Sequence, residues 1–198
     1  MKNMNKIVLS IFIAVLSVNI YGQEKIMVLE DAFVQGGNTS DAVLGVEDSK
    51  QLKVFNSKKT TKYARTTYLK FELPEEAKQA SKITLHIPVK VYDKNAPGNS
   101  FQLDVYATKT NNWSESKLTF NNKPEISNLL ATKSLPATEK HTKVSIDLDV
   151  NQLKNHLKES KTNVITLALL NNDFNKTSAM MPSKEKSKKV ASFLTIVE

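Results

Sequence analysis

The stretch Lys82-Ile-Thr-Leu-His-Ile-Pro-Val-Lys-Val-Tyr92 decides the fold class of this chain. Every second residue in it is a branched apolar one, and these residues share one face: Ile83, Leu85, Ile87, Val89 and Val91. A period of two is the signature of a β-strand that is covered on one side only. Because proline lacks the N–H that a strand ladder uses, Pro88 predicts an edge strand or a bulge here.

Similar alternation recurs along the chain. It predicts further strands over the ranges 26–33, 51–55, 69–73, 101–105, 144–150, 163–170 and 191–197. Turn residues such as Gly36-Gly37-Asn38 separate these segments. Many short strands with turns between them predict an all-β fold, an antiparallel β-sandwich of the jelly-roll type. Residues 149–160 instead have apolar side chains at helical spacing, which predicts one short helix capped by Asn151.

The first 22 residues have the composition of a secretory signal peptide. Two lysines, Lys2 and Lys6, precede an apolar run, and the small residue Gly22 follows it. The run is shorter than the roughly 20 residues that a transmembrane helix needs. We therefore expect a signal peptide at 1–22 and one domain at 23–198, secreted or periplasmic in a bacterium and not inserted in the membrane after cleavage. An uncleaved N-terminal anchor is the alternative.

Cysteine content and net charge narrow the function classes. The chain has no cysteine, which excludes disulfides, thiolate metal sites and a cysteine nucleophile. Its net charge of +8 indicates an anionic partner. Because the protein is expected to be exported, nucleic acid is not the expected partner, and we expect an acidic polysaccharide instead. The alternative is that the lysines only keep the surface soluble.

Four short motifs follow one another along the chain. They are D-A-F-V-Q-G-G from Asp31, R-T-T-Y-L-K-F-E-L ending at Leu73, W-S-E-S-K-L-T-F-N-N-K-P from Trp113, and S-K-E from Ser183. In these motifs the chain resembles the DNRLRE-type domain, which is grouped with the family-96 carbohydrate-binding modules. The resemblance extends from about residue 29 to the C-terminus. It implies a β-sandwich that binds polysaccharide, alginate-like polyuronates above all, without catalysis.

The same resemblance leaves one other function open, a structural or adhesive protein of the cell surface or matrix. Modules of this type usually occur attached to lyases or large surface proteins. Secreted polysaccharide-degrading enzymes are therefore the protein partners that we consider.

A cluster of cations between residues 53 and 70 is the predicted carbohydrate-binding site: Lys53, Lys58, Lys59, Lys62, Arg65 and Lys70. Lys53 and Lys70 alternate with apolar neighbours, so we expect both to point away from the core, on one hairpin. The resemblance implies a role in alginate binding for this region, first for Lys53 and Arg65. A charged surface without a partner is the alternative. Arg65 is four residues before Leu69, so in a strand the two side chains face the same side. The alternative for Arg65 is therefore that it points inward and forms an ion pair with Asp31 or Glu185.

Aromatic residues give a second, weaker indication. Tyr63, Tyr92 and Tyr106 are expected to face outward, where a ring can stack on a sugar. Trp113 and Phe120 are expected to be packed inside, with Trp113 closing one end of the sandwich.

No cofactor is expected, although a structural calcium ion is considered. Four acids cluster near the turn at 36–37: Asp31, Asp41, Glu47 and Asp48. They do not follow the spacing of an EF-hand. Aspartates in turns commonly form only local hydrogen bonds, which is the simpler reading.

Enzyme motifs do not occur. The sequence has no G-x-S-x-G, H-E-x-x-H or phosphate-binding loop. The three histidines, His86, His141 and His156, lie in unrelated contexts: an outward strand position, a loop and the predicted helix. We therefore predict that the protein is not an enzyme.

Overall fold

The computed structural model describes residues 25–44, 50–56, 63–92, 100–174 and 177–198. Within these residues eleven strands form two sheets, and all the strand pairs are antiparallel. The predicted signal peptide and the residues Lys58, Lys59, Lys62, Glu47 and Asp48 lie outside them. No helix in the described ranges has the length and hydropathy needed to cross a membrane.

The first sheet contains six strands. They are β1 (Lys25–Met27), β3 (Gln51–Val54), β5 (Lys82–Tyr92), β8 (Thr142–Asp147), β10 (Ser178–Pro182) and β11 (Phe193–Val197). Their order is β1-β11-β5-β10-β3, and β8 also pairs with β5. The long strand β5 is therefore the centre of this sheet.

The second sheet contains five strands. They are β2 (Glu30–Gln35), β4 (Arg65–Glu72), β6 (Phe101–Thr108), β7 (Ile126–Leu135) and β9 (Val164–Leu170). Their order is β2-β4-β9-β6-β7. Because β2 and β7 are the edges, the central strands β4, β9 and β6 carry the most buried residues.

The two sheets enclose one apolar core, so the predicted antiparallel β-sandwich is confirmed. Leu69 and Phe71 of the second sheet and Ile83 and Leu85 of the first are fully buried in it. Alternate residues of each strand enter the core, as the period of two predicts. Area removed from water stabilises such a core by roughly 25 cal/mol per Å².

The predicted helix is confirmed as α1 (Val150–Ser160), between β8 and β9. Leu153 and Leu157 pack against the core. The cap is Asp149 rather than Asn151: its carboxylate accepts the N–H groups of Asn151 and Gln152, both at 3.0 Å. An aspartate at this position satisfies backbone donors that the first turn leaves unpaired.

Two strand predictions are wrong. The expected strand at 26–33 is divided into β1 and β2, which belong to different sheets, because the chain crosses between the sheets at residues 28 and 29. Pro88 lies in a central strand and not at an edge. The ladder to β11 stops at His86 and the ladder to β10 begins at Lys90, so Pro88 falls between them.

Candidate functional site

The outer face of the first sheet is the most basic surface that the strands form. The six strands of this sheet contain five lysines and one acidic residue, Asp147. The second sheet contains acids and bases in nearly equal number. Since Ile87, Val89 and Val91 enter the core, the alternate residues of β5 point away from it.

Four lysines on this surface, which we call the lysine face, are Lys25, Lys53, Lys90 and Lys143. Met180 pairs with Lys53 on one side and with Lys90 on the other, so the three residues form a row across the sheet. Neighbouring strands lie about 4.8 Å apart, which separates the two lysine Cα atoms by about 9.6 Å. Lys143 is paired with Pro88, two residues before Lys90 on β5.

None of these four lysines has a carboxylate partner within the described ranges. Asp147, the acid of this sheet, pairs instead with Lys82, at 2.9 Å. Three of the four ammonium groups lie over aromatic rings: Lys25 over Phe193 at 5.1 Å, Lys53 over Phe33 at 5.4 Å and Lys90 over Tyr92 at 4.4 Å. Such contacts hold a cation near a surface without neutralising it.

His86 lies on the same face, at the outward position that the sequence predicts. Its ring stacks on Phe193, with 4.6 Å between the centroids. Both ring nitrogens are engaged, with the hydroxyl groups of Ser145 at 2.9 Å and Thr195 at 2.8 Å. Burial lowers the pKa of His86, and the nearby Lys25 lowers it further against the opposing effect of Asp147. Burial and Lys25 thus both favour the neutral form of the ring.

The structure separates the predicted cluster of cations instead of uniting it on one hairpin. Lys53 is on β3 of the first sheet, whereas Arg65 and Lys70 are on β4 of the second. A single bridge between Phe55 and Arg65 joins the two segments. Lys58, Lys59 and Lys62 belong to the connection outside the described residues. The two segments therefore form a hairpin only at this bridge, and beyond it Lys53 and Lys70 lie in different sheets rather than on one hairpin.

Arg65 pairs with an amide, not with an acid. Its Nε donates to Oε1 of Gln35 at 2.6 Å, and the guanidinium lies 5.7 Å from the centroid of Phe55. Burial lowers the pKa of Arg65 from its ordinary value. Asp31 and Glu185, the acids considered as its partners, contact Lys184 instead.

Lys70 points to the outer face of its sheet, as its parity predicts, yet it is not available to a ligand. The ammonium group forms an ion pair with Glu30, donates to the main-chain oxygen of Trp113 and lies 4.6 Å from the centroid of the indole. The residue is buried because a loop covers this face. The expectation of a solvent-facing cation is therefore wrong for Lys70.

The loop that covers this face of the second sheet consists of residues 109–125, and we call it the tryptophan loop. An ion pair between Lys109 and Glu125 at 2.6 Å closes its base. Trp113 packs edge-on against Tyr68 and donates from Nε1 to the hydroxyl of Thr166 at 2.9 Å. Trp113 is only half-buried, and it packs against a small apolar cluster on the outer face of the second sheet, not inside the sandwich or at its end as expected. Phe120 belongs to the same small apolar cluster.

An acidic cluster lies where the tryptophan loop meets the sandwich. Oxygen atoms of Asp31, Glu115 and Glu185 lie within 4.8 Å of one another. Lys184 donates to Glu115 at 2.9 Å and to Glu185 at 2.6 Å. Burial raises the pKa of Asp31 to about 7, against the hydrogen bond from the N–H of Lys184. Of the four acids considered for calcium, Asp31 is in this group, Asp41 accepts a hydrogen bond from Asn121, and Glu47 and Asp48 lie outside the described residues.

Comparison with known proteins adds to this geometry. Residues 22–198 match the sequence profile of carbohydrate-binding module family 96. The chain belongs to that family. The predicted recognition is therefore confirmed, and the protein is a carbohydrate-binding module, a class that is typically non-catalytic. A search of curated proteins found no match.

Sequence reasoning missed most of the module's lysine face. Lys90 was readable as an outward residue, because it stands between Val89 and Val91. Lys25 and Lys143 join the face only through pairing between distant strands, which local spacing does not report. A search for clustered cations along the sequence therefore finds residues that are close in the chain and misses residues that become neighbours only across the sheet.

Proposed function

We propose that the module binds an acidic polysaccharide, such as an alginate-like polyuronate, along the lysine face. The observation that carries this proposal is a group of four lysines on one sheet surface that have no carboxylate partner in the part of the chain that the structure describes. Each ammonium group can pair with a ring carboxylate of an extended polymer. Lys53 keeps its proposed role, and Lys58, Lys59 and Lys62 keep theirs on sequence grounds, since their connection follows β3.

The expected affinity comes from several weak contacts. An exposed ion pair contributes about 0.2–1 kcal/mol, so no single lysine dominates. Removing two lysines should therefore weaken binding about two- to thirtyfold. Salt should weaken binding as well, because ions screen charges beyond about 8 Å at 0.15 M. Arg65 is proposed as a contact at the adjoining edge, where its amide partner leaves its charge uncompensated.

We propose that the module has no catalytic activity of its own, which its membership of a typically non-catalytic family supports. We propose that the protein is secreted or periplasmic and presents captured polymer to separate degrading enzymes.

Affinity electrophoresis tests the proposal, with gels that contain alginate, pectate, chondroitin sulfate or neutral xylan. We expect retardation by a uronate polymer but not by xylan. The double variant Lys53→Ala/Lys90→Ala should be retarded less, in line with a roughly two- to thirtyfold weaker affinity. The matched control, Lys78→Ala/Lys109→Ala, removes the same charge from lysines that are paired elsewhere and should bind normally.

Three other outcomes would contradict the proposal. Equal loss in the control variant would show that only net charge matters. Equal retardation by every polyanion would show an unspecific basic surface. No retardation in any gel would favour the alternative, a structural or adhesive protein.

A further inference from the structure

The acidic cluster holds a carboxylate oxygen that is buried and has no partner. Asp31 is 1% exposed. Its Oδ2 accepts the N–H of Lys184 at 2.8 Å, whereas no group of the described residues donates to Oδ1. A buried acceptor without a donor is costly, so it calls for a proton or a cation.

The surroundings of this oxygen are rich in negative charge. Glu115 and Glu185 each bring a carboxylate oxygen to within 4.8 Å of it or of its twin on Asp31. One ammonium group, that of Lys184, faces these three carboxylates. The adjacent pair of Glu30 and Lys70 neutralises itself and adds no positive charge. Among the described residues, the cluster therefore has three carboxylates and one ammonium group, on a chain that is otherwise basic.

The separations suit a hard cation of moderate size. Calcium lies about 2.3–2.6 Å from its oxygen ligands, so two ligands of one ion are at most about 5 Å apart. The carboxylate oxygens all lie within 4.8 Å of one another, a span that one calcium ion can bridge. Magnesium usually keeps several of its waters and is seldom held by protein carboxylates alone. Carboxylates alone are ligands of the type that calcium prefers.

We propose that Asp31, Glu115 and Glu185 bind Ca²⁺ and that the ion fastens the tryptophan loop to the sandwich. Asp31 is on β2, Glu115 on the tryptophan loop and Glu185 on the segment before β11. The ammonium group of Lys184 reaches into this cluster. Its side chain is a quarter exposed, and its flexible stem lets the ammonium turn out to solvent when calcium enters. The site is independent of the lysine face.

The three proposed ligands each belong to a different sequence motif. Asp31 opens the first motif, Glu115 lies within W-S-E and Glu185 ends S-K-E. These segments are far apart in the chain, and folding brings one acid from each to the same place. A shared ion explains why three separate loops and strands supply carboxylates at one point.

Terbium luminescence tests the site directly. Tb³⁺ takes calcium sites, and its emission is sensitised by a nearby indole. Trp113, the only tryptophan, is two residues from Glu115. We expect the purified module, without polysaccharide, to sensitise Tb³⁺ at stoichiometric concentration and Ca²⁺ to displace it.

Variants locate the site. Glu115→Gln and Glu185→Gln should each weaken Ca²⁺ binding about tenfold or more, because affinity follows the charge of the ligand set. Lys184→Met should strengthen it by removing the competing ammonium. The control Glu125→Gln removes an exposed acid at the base of the loop and should leave affinity unchanged.

Thermal unfolding gives a second readout, which serves even if one variant folds poorly. At Ca²⁺ one hundred times above Kd, the wild-type Tm should exceed its value in chelator by about 5–10 °C. No sensitised emission together with no change in Tm would overturn the proposal. Calcium binding that survives both glutamate substitutions would overturn it too, since the ion would then lie elsewhere.

Discussion

Replacing Lys70 by alanine distinguishes a structural lysine from a ligand contact. The change leaves the carboxylate of Glu30 and the main-chain oxygen of Trp113 without their donor. It also removes the aliphatic stem and the cation from the indole face. Each of these contacts holds the tryptophan loop against the second sheet, so we expect the variant to be less stable.

The side-chain exposures set the magnitude. Lys70 is 9% exposed and Glu30 23%. Breaking a buried pair by removing one partner costs about 3–5 kcal/mol. Because Glu30 keeps some access to water, we expect the lower limit, about 3 kcal/mol. For a domain of this size each kcal/mol lowers Tm by about 2–4 °C, which gives a decrease of about 6–12 °C.

Urea unfolding followed by tryptophan fluorescence measures this change, since Trp113 is the only tryptophan and lies at the perturbed site. Circular dichroism checks that the transition is two-state. The control is Lys78→Ala, which breaks an exposed ion pair with Glu75 and should cost less than about 1 kcal/mol. Equal stability of the two variants, with loss of polysaccharide binding in Lys70→Ala alone, would refute the structural assignment and make Lys70 a ligand contact.

Three further outcomes are expected. Burial lowers the pKa of His156 below its ordinary value of 6.5, so the unfolded chain binds protons more readily and stability falls as pH drops below 6.5. In His156→Leu the urea midpoint should change less between pH 7 and pH 5 than it does in the wild type. The same change with pH in both proteins would contradict this. Asp149→Ala removes the acceptor of two N–H groups and should cost about 1 kcal/mol in the same assay. Raising the salt concentration should abolish retardation of the wild type by alginate, whereas persistent binding in high salt would argue against charge pairing.

The sandwich was largely predictable because its core obeys a simple period. The alternation in β5 and the helical spacing in α1 are both local signals, and both elements form where they were expected. Two strands were not predicted. β7 alternates poorly, since it is an edge strand with a bulge against β6, and β10 has only five residues.

Sites were harder to predict than strands. The alternation correctly predicted that Lys70 points to the outer face of the sheet. It did not show that the tryptophan loop would lie over this residue. The acidic cluster was equally invisible, because Asp31 and Glu185 are separated by most of the chain. Each acid of the cluster lies in one of the sequence motifs, but only the tertiary fold brings the three acids together.

The pairing of β1 with β11 determines how the module can be attached to other chains. Lys25 lies opposite Thr195 in an antiparallel ladder, so the polypeptide enters and leaves the domain at the same corner. A domain with adjacent ends can be placed inside a longer chain with little disturbance of either flank. Lys25 also belongs to the lysine face. If the polymer binds there as we propose, a bulky fusion at either end would crowd it, whereas a long, thin tether would leave the face open.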